Sequence, residues 1–405
     1  MKNLKDKLLL KIISGLVFIS FCLGQIVRLP IPFIGSSAVS LLDVAIIFSN
    51  LFIYWHFLKD RHKKLHSYYL LYFVPLLFTL GLSFLGHAIL HPVPESLVAF
   101  AYYFRFINYF FFAVLFPWYW DKCGGIYGLK ISDYLLLAIG SMAFLGLLQY
   151  LFLPDMKALY FIGWDRHYFR LIGPLLDPNF SGLVFTIGIV ILTARYKKEL
   201  LSFRRENAYQ ALFILLFVCL VLTFSRGSWI AFFILFFIQM LWHKRARIFF
   251  LLLLLFAFLY FLLPKPHGEG VNIFRTSTIR ARLNNYKEAI FLIKEHPFLG
   301  VGYNFLRYAK IDNNLLLEKA YESHSGAGFD SSALFSWATG GIVALLAYLF
   351  FFWRTLQFVI KKNDKMIILL ILGVFFHSFF YNSFYFVPAM FLYLLLLGSR
   401  EYSGQ

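Results

Sequence analysis

The sequence predicts an all-α, polytopic integral membrane protein with about twelve transmembrane helices. Three observations support this fold class. Hydrophobic residues make up 60% of the 405 residues and charged residues only 14%, whereas soluble domains carry roughly 25% charged residues. Apolar runs long enough to cross a bilayer recur along the chain. Positive charge alternates between the connections that join these runs, as it does in membrane proteins of fixed orientation.

The apolar runs define the spans, because a helix needs about 20 predominantly apolar residues to cross the hydrocarbon core. Lysines precede the first run but no small-residue cleavage site follows it, so we interpret it as a retained helix. We expect spans near residues 8–27, 39–57, 68–88, 96–117, 131–153, 180–194, 208–224, 228–242, 247–263, 332–352, 366–381 and 382–398.

Lysine and arginine concentrate in every second connection. The second reads LKDRHKKLH, the sixth RYKKELLSFRREN and the eighth HKRAR, whereas residues 89–95 contain neither lysine nor arginine. Positively charged loops stay on the cytoplasmic side, so both termini are predicted to be cytoplasmic. Much of the formal charge of +18 then sets topology, and it does not indicate nucleic-acid binding.

Two connections on the external face are longer and more polar than the others. Residues 154–179 form one, and residues 264–331 form a cap segment between the ninth and tenth spans of a single membrane domain, 1–405. Apolar residues within the cap segment follow helical spacing, and His296-Pro297 ends the pattern. The sequence therefore predicts an amphipathic helix that lies on the membrane surface or roofs a cavity. Its apolar face would be Ile279, Leu283, Tyr286, Ile290 and Ile293.

Three predicted helix starts on the external face carry capping residues. These are Asp177 before a proline, Ser225 before Arg226-Gly227, and Asp330 before two serines. Helix starts expose backbone N–H groups and a positive dipole end, so with arginines nearby they form anion sites. Ordinary capping and contacts with lipid headgroups are the alternative explanation. The arginines concerned are Arg170, Arg226, Arg280 and Arg282.

Other polar residues fall near this face. His324 is a possible general base, and Asp330 is its rival. His377 lies near the external end of its helix, where core packing is the simplest role. Asp43 and Arg105 lie inside spans, where charges are usually functional; they could pair, or Arg105 could reach a lipid phosphate.

Several site types find little support in the sequence. The three cysteines are far apart and form no Cys/His cluster, so neither a disulfide nor a zinc site is expected. Gly300-Val301-Gly302 follows a helix and a proline, unlike a nucleotide-binding loop. Residues 28–38 contain no Asp or Glu, which argues against metal-dependent glycosyltransferases with acidic residues in the first external loop.

Four segments in order resemble the O-antigen ligase and O-antigen polymerase superfamily of bacterial envelope enzymes. They are RLIGPLLDPNFSG (170–182), LTFSRGSWIA (222–231), RARLNNYKEAIFLIKEHPFLGVGYN (280–304) and DSSALFSWATGGIVALL (330–346). The resemblance implies a metal-independent, inverting glycosyltransferase that needs no cofactor and acts at the periplasmic face of the inner membrane. The donor would be a glycan on undecaprenyl pyrophosphate. The acceptor would be another lipid-linked repeat unit for a polymerase, or lipid A-core for a ligase.

The resemblance also assigns roles to residues. Arg170 and Arg226 would hold the pyrophosphate, with Arg280 or Arg282 supporting them from the cap segment. Ligases usually have His-Asn where Asp330-Ser331 align here, which favours a polymerase and leaves the base open between His324 and Asp330. Further substrate-binding positions would be Asn179, Arg105 and His377.

Two kinds of function remain as alternatives to a polymerase. A ligase belongs to the same class of enzyme, whereas a secondary transporter or a noncatalytic carrier of lipid-linked glycan belongs to another class. A transporter should show repeated halves and charges near the bilayer midplane, whereas the charges here gather at one face. Expected partners are the bilayer, the lipid-linked donor and its acceptor, and a chain-length regulator or another polysaccharide-assembly protein.

Overall fold

The computed structural model describes residues 2–30, 38–60, 68–195, 207–263, 265, 269–272, 274–316 and 328–399. Strands β1 (Arg28–Pro30) and β2 (Ala38–Ser40) form one antiparallel pair. Short 3-10 helices cover Lys157–Ile162, Gly173–Leu175 and Glu269–Val271. The α-helices are α1 (Lys2–Leu23), α2 (Leu41–Lys59), α3 (Tyr68–Leu71), α4 (Val74–Ala88), α5 (Val93–Lys122), α6 (Ile131–Phe152), α7 (Pro178–Arg195), α8 (Asn207–Leu222), α9 (Arg226–Trp242), α10 (Ala246–Leu262), α11 (Ser277–Glu295), α12 (Leu306–Asp312), α13 (Ser332–Lys361), α14 (Lys365–His377) and α15 (Val387–Ser399).

The apolar runs of the sequence form helices, and each predicted span overlaps at least one of them. Helices α2, α5, α6, α7 and α13 are long and apolar enough to cross a membrane, and six shorter helices are also apolar. The chain is therefore a helical membrane protein, while the number of crossings and their orientation stay predictions. The span predicted at 68–88 is divided between α3 and α4, because Pro75 occupies the first turn of α4, where proline is tolerated.

Helix α7 lies inside the bundle, and every residue from Ser181 to Thr193 is buried. Helices α6, α8, α9 and α14 pack around it. Glycine allows the closest of these approaches: a Cβ added at Gly182 would lie 2.6 Å from the Cβ of Ser228 in α9. Small residues permit such contacts between membrane helices. The start of α7 is thereby fixed against the start of α9.

Helix α13 is interrupted at Gly341, where φ is 70° and ψ is −172°. The segment 297–301 fills the break. Ile342 N–H donates to the Pro297 carbonyl at 2.9 Å, and Val301 N–H donates to the Ala338 carbonyl at 2.8 Å. These bonds replace those that the helix loses at the break, since backbone groups inside a membrane need partners.

Two glycines make this insertion possible. A Cβ at Gly341 would overlap the Phe298 carbonyl, and a Cβ at Gly300 would lie 2.5 Å from the Thr339 carbonyl carbon. Both glycines also have positive φ, which glycine adopts without steric cost. The glycines near residue 300 therefore serve helix packing here.

The predicted cap helix is present as α11, which ends at Glu295 immediately before His296-Pro297. The predicted apolar face contains both buried and exposed residues. Ile293 is buried together with Ala289 and Leu292, but Leu283 and Ile290 are exposed. The helix packs on α13 along one edge of its apolar stripe, and the other edge is exposed, as expected for a helix that lies on the membrane surface. Ile279 is exposed as well.

Candidate functional site

Side chains cap the three helix starts that the sequence marks on this face. Asp177 Oδ1 accepts hydrogen bonds from Asn179 N–H (2.6 Å) and Phe180 N–H at the start of α7. Ser225 caps α9. The cap of α13 is Ser331, whose hydroxyl accepts from Leu334 N–H, so the capping role considered for Asp330 is wrong. Because Ser331 caps the helix, the Asp330 carboxylate does not bond to the first helical turn and is left for other partners.

The starts of α7 and α9 meet in one buried polar network. Ser225 Oγ donates to Asn179 Oδ1 at 2.9 Å, and Ser228 Oγ donates to the Asn179 carbonyl at 2.8 Å. His377 Nε2 lies 3.1 Å from Ser228 Oγ, and its Nδ1 lies 2.5 Å from Ser383 Oγ. His377 is fully buried. Its place in the structure is inside the bundle, where it joins α9 to the segment that follows α14.

His377 also supports an aromatic stack that reaches Arg282. The His377 and Tyr381 rings are stacked with centroids 4.7 Å apart, and the Arg282 guanidinium lies 4.4 Å from the Tyr381 ring centroid. A Cβ at Gly227 would lie 2.5 Å from Tyr381 Cε2. Glycine after Arg226 therefore makes room for the ring, and Tyr381 connects Arg282 with the Arg226 turn.

Arg170 is buried beside the turn between α8 and α9. Its Nε donates to the Thr223 carbonyl at 3.0 Å, and its Nη2 donates to the Phe224 carbonyl at 3.4 Å. Phe224 has a positive φ of 49°, a conformation that a non-glycine residue rarely holds without support. Burial and the neighbouring Arg275 guanidinium lower the pKa of Arg170 to about 10, so Arg170 stays charged at neutral pH.

Arg275 is buried like Arg170, and reasoning from the sequence did not predict it. Its guanidinium donates to the carbonyls of Gly270 (2.5 Å) and Phe224 (3.4 Å). Arg226 Nη1 donates to the Arg275 carbonyl at 3.2 Å. We call Arg170, Arg226, Arg275 and Arg282 the arginine cluster. No local motif marks Arg275, because Phe224 lies 51 residues away in the chain.

His167 lies beside the arginine cluster and was also missed. It is buried, and neither ring nitrogen has a hydrogen-bond partner among the described residues. Burial and the Arg170 and Arg275 guanidiniums lower the pKa of His167 to about 3. The imidazole is therefore neutral at pH 7 and adds no positive charge beside Arg170 and Arg275.

Asp330 lies between charged groups of the cap segment. Its backbone N–H donates to Asn285 Oδ1 of α11 at 2.7 Å. Burial raises the pKa of Asp330, while Arg282 and Lys310 oppose the rise. Lys310 is buried, lies 3.2 Å from Glu288 and donates to the Gly328 carbonyl at 3.3 Å. A carboxylate with a raised pKa beside a cation can accept a proton near neutral pH.

The structure does not place His324 or Arg280 at the site. His324 lies outside the described residues. Arg280 is exposed on α11, roughly 160° around the helix from Arg282 by helical geometry. Of the two arginines expected to support the pyrophosphate from the cap segment, Arg282 is the one that contacts Tyr381. Among the described residues, no group of three or more His, Cys, Asp or Glu side chains is arranged to hold a metal ion.

The predicted pair inside the spans is present. Arg105 Nη2 lies 2.9 Å from Asp43 Oδ2 and also donates to the Ala38 carbonyl at 3.2 Å. Tyr109 donates to Asp43 Oδ1 at 3.0 Å. This ion pair joins α2 to α5 and does not belong to the arginine cluster.

The family comparison covers the centre of this arrangement. Residues 211–349 match the family described as O-antigen ligase. This region of the chain is O-antigen ligase-related. The resemblance noted from the sequence is confirmed, and the O-antigen ligase-related region contains Arg226, Arg275, Arg282 and Asp330. Arg170 precedes it. Comparison with curated proteins finds no match.

Proposed function

We propose that this protein transfers a glycan from a lipid pyrophosphate to an acceptor hydroxyl, and that it acts as a polymerase of lipid-linked repeat units. The convergence of four arginines on the capped starts of α7 and α9 is the observation that carries this proposal. Arginine presents paired N–H donors to phosphate and keeps its charge. Helix N-termini add further positive potential.

The proposed reaction is a single displacement. The acceptor oxygen attacks the anomeric carbon and loses its proton to the base, which is Asp330 or His324. The bond from the anomeric carbon to the pyrophosphate oxygen breaks, and its electron pair stays on the leaving pyrophosphate. The configuration is inverted, because attack and departure occur on opposite faces. Negative charge grows on the pyrophosphate, so the arginine cluster stabilises the transition state more than the bound donor.

The local structure supports Asp330 as one of the two candidate bases. It follows the cap segment, precedes α13, and lies within the electrostatic reach of Arg282 and Lys310. Burial raises its pKa, which brings the proton affinity of the carboxylate closer to that of a base working near neutral pH.

The ligase reading has its own support, since the matched family is described as O-antigen ligase. Asp330-Ser331 stands where the resemblance leads us to expect His-Asn in ligases, and this departure is why we favour the polymerase. The two reactions leave different products in a bacterial host from which the gene is deleted.

Glycan ladder analysis of such a deletion strain tests the proposal. We expect single repeat units on lipid A-core, with the ladder restored by the wild-type gene and by Lys287→Ala but not by Arg226→Ala. Lys287 is an exposed cation on α11 and serves as the matched control. A deletion strain with no glycan on lipid A-core would favour the ligase. An unchanged ladder would exclude both.

A further inference from the structure

His167 has a buried imidazole whose polar atoms have no partner among the described residues. Only 5% of the residue is exposed, and both ring nitrogens lack a hydrogen bond there. A neutral imidazole carries one N–H donor and one nitrogen acceptor, and buried polar groups in native proteins are nearly always paired. His167 therefore offers a buried donor that the described part of the chain does not use.

The backbone on either side fixes the position of His167. Its carbonyl accepts from Met156 N–H at 2.9 Å, and Phe169 N–H donates to the Pro154 carbonyl at 2.9 Å. These two bonds flank an isolated antiparallel bridge between the same two segments. The burial of the imidazole thus belongs to a hydrogen-bonded part of the external connection.

The 3-10 turn of the cap segment packs against the same place. A Cβ added at Gly270 would lie 3.2 Å from Arg170 Cδ and 3.8 Å from the Tyr168 carbonyl oxygen. The Gly270 carbonyl accepts from Arg275, and His167 interacts electrostatically with both Arg170 and Arg275. The imidazole and the two guanidiniums therefore come together where the connection that carries Arg170 contacts the cap segment.

The chemistry of these neighbours defines the partner that His167 needs. Arginine has N–H donors and no acceptor, so neither Arg170 nor Arg275 can accept the imidazole N–H. The backbone carbonyls that orient the two arginines already accept from guanidinium groups. A group that accepts from an imidazole and also suits two guanidiniums is an anionic oxygen.

We propose that His167 donates a hydrogen bond to a pyrophosphate oxygen of the lipid-linked donor, beside the charge of Arg170. The choice of pyrophosphate as the anion rests on the proposed function. Burial and the two guanidiniums lower the pKa of His167 to about 3, so the ring adds a directed donor without repelling Arg170. Because the pyrophosphate keeps its terminal oxygens when it leaves, His167 would contact the lipid pyrophosphate product as well as the donor.

Binding of undecaprenyl pyrophosphate tests this role without catalysis. Titration of the purified full-length protein, followed by native mass spectrometry, should give a dissociation constant about tenfold higher for His167→Phe than for wild type, because one hydrogen bond to a charged oxygen is lost. His167→Gln keeps an N–H donor and should stay within roughly threefold of wild type. The matched control is His296→Phe, which changes an exposed histidine at the end of α11 and should bind like wild type.

Thermal unfolding distinguishes ligand binding from a structural role of His167. Without lipid, His167→Phe should unfold at the same temperature as wild type or higher, because it removes unpaired buried polar atoms and keeps an aromatic ring. With undecaprenyl pyrophosphate, the unfolding temperature should rise more for wild type than for the variant. A variant that is less stable without lipid, or does not fold, and a His167→Gln protein that gains as much from lipid as wild type while its isotope-labelled histidine spectrum is unchanged from wild type on addition of lipid, would assign His167 to the fold and overturn the proposal.

The remaining outcomes separate this proposal from the proposed function. Equal dissociation constants for His167→Phe and wild type would overturn the role of His167 and leave the proposed function intact. Displacement of undecaprenyl pyrophosphate by phosphatidylglycerol at equal concentration would show a general headgroup site and overturn the assignment to pyrophosphate. A wild-type protein that does not bind undecaprenyl pyrophosphate would overturn both. If binding depends on His167 but the protein transfers no glycan, the proposed function fails and the role of His167 stands.

Discussion

The arginine cluster and the Asp43–Arg105 ion pair hold their guanidiniums by different means. Arg170 and Arg275 are oriented by backbone carbonyls, including the Phe224 carbonyl that both contact. Arg105 is oriented by the Asp43 carboxylate. A carbonyl fixes the direction of a guanidinium without cancelling its charge, whereas a carboxylate cancels it. Arg170 thus keeps its charge for an anionic ligand, whereas the charge of Arg105 is offset by Asp43.

The largest expected effect is a loss of glycan-transfer rate when an arginine of the arginine cluster is removed. Arg282→Ala should lower the glycan-transfer rate by about 10²–10³-fold, the usual cost of removing one donor that stabilises developing charge. Initial rates with lipid-linked glycan in proteoliposomes measure this. Arg280→Ala should change the rate less than Arg282→Ala, because Arg280 lies on the exposed side of α11. Equal losses for both variants would contradict the placement of Arg282 at the site.

Changes to the Asp43–Arg105 ion pair should instead have their largest effect on stability. Arg105→Ala leaves the buried Asp43 carboxylate without its cation, which costs about 3–5 kcal/mol in comparable buried pairs. Denaturant unfolding in detergent measures the change. The double variant Asp43→Asn/Arg105→Gln removes both charges and should recover most of the loss. If the double variant is no more stable than Arg105→Ala, the ion pair is not what holds α2 to α5.

A third prediction concerns the pH dependence of transfer. Lys310 opposes the upward shift in the pKa of Asp330, so Lys310→Met should raise that pKa further. If Asp330 is the base, the acid limb of the pH–rate profile then moves to higher pH. Glu288→Gln should move it to lower pH, since the Glu288 carboxylate raises the same pKa. An acid limb that neither variant moves would assign the base to His324.

The smallest expected effect is at the cap of α7. Burial raises the pKa of Asp177 to about 6, although the N–H groups of Asn179 and Phe180 favour its charged form. A carboxyl with a raised pKa binds its proton more tightly in the folded state, so stability falls as pH rises from about 4 to 6. Asp177→Asn retains a good N-cap and should remove this fall. Unfolding curves between pH 4 and 7 measure it, and parallel wild-type and variant curves would disprove it.

The sequence predicts those parts of the fold that depend on neighbouring residues. Hydropathy identifies the helices, because every apolar run must satisfy its own backbone in a membrane. The caps Asp177 and Ser225 follow from residue types next to the helices. The division of α3 from α4 at Pro75 is also local in origin, although we predicted a single span there.

The rest of the site depends on contacts between distant residues. Arg275 and Tyr381 belong to it only because the chain brings them to Phe224 and Arg282, and neither has a distinctive local pattern. The break at Gly341 arises from insertion of the segment 297–301, and hydropathy cannot predict such a contact. Which residues of the α11 apolar face are buried depends on its packing on α13.

The proposed function depends most on stabilisation of the leaving pyrophosphate by the arginine cluster. Single-turnover transfer by purified Arg226→Ala, at saturating lipid-linked donor, tests this claim most directly. The predicted result is a rate at least about 10²-fold below wild type, from a protein with an unchanged unfolding transition, with Arg226→Lys intermediate because lysine lacks the paired donors. A folded Arg226→Ala protein that transfers glycan at the wild-type rate would contradict the account.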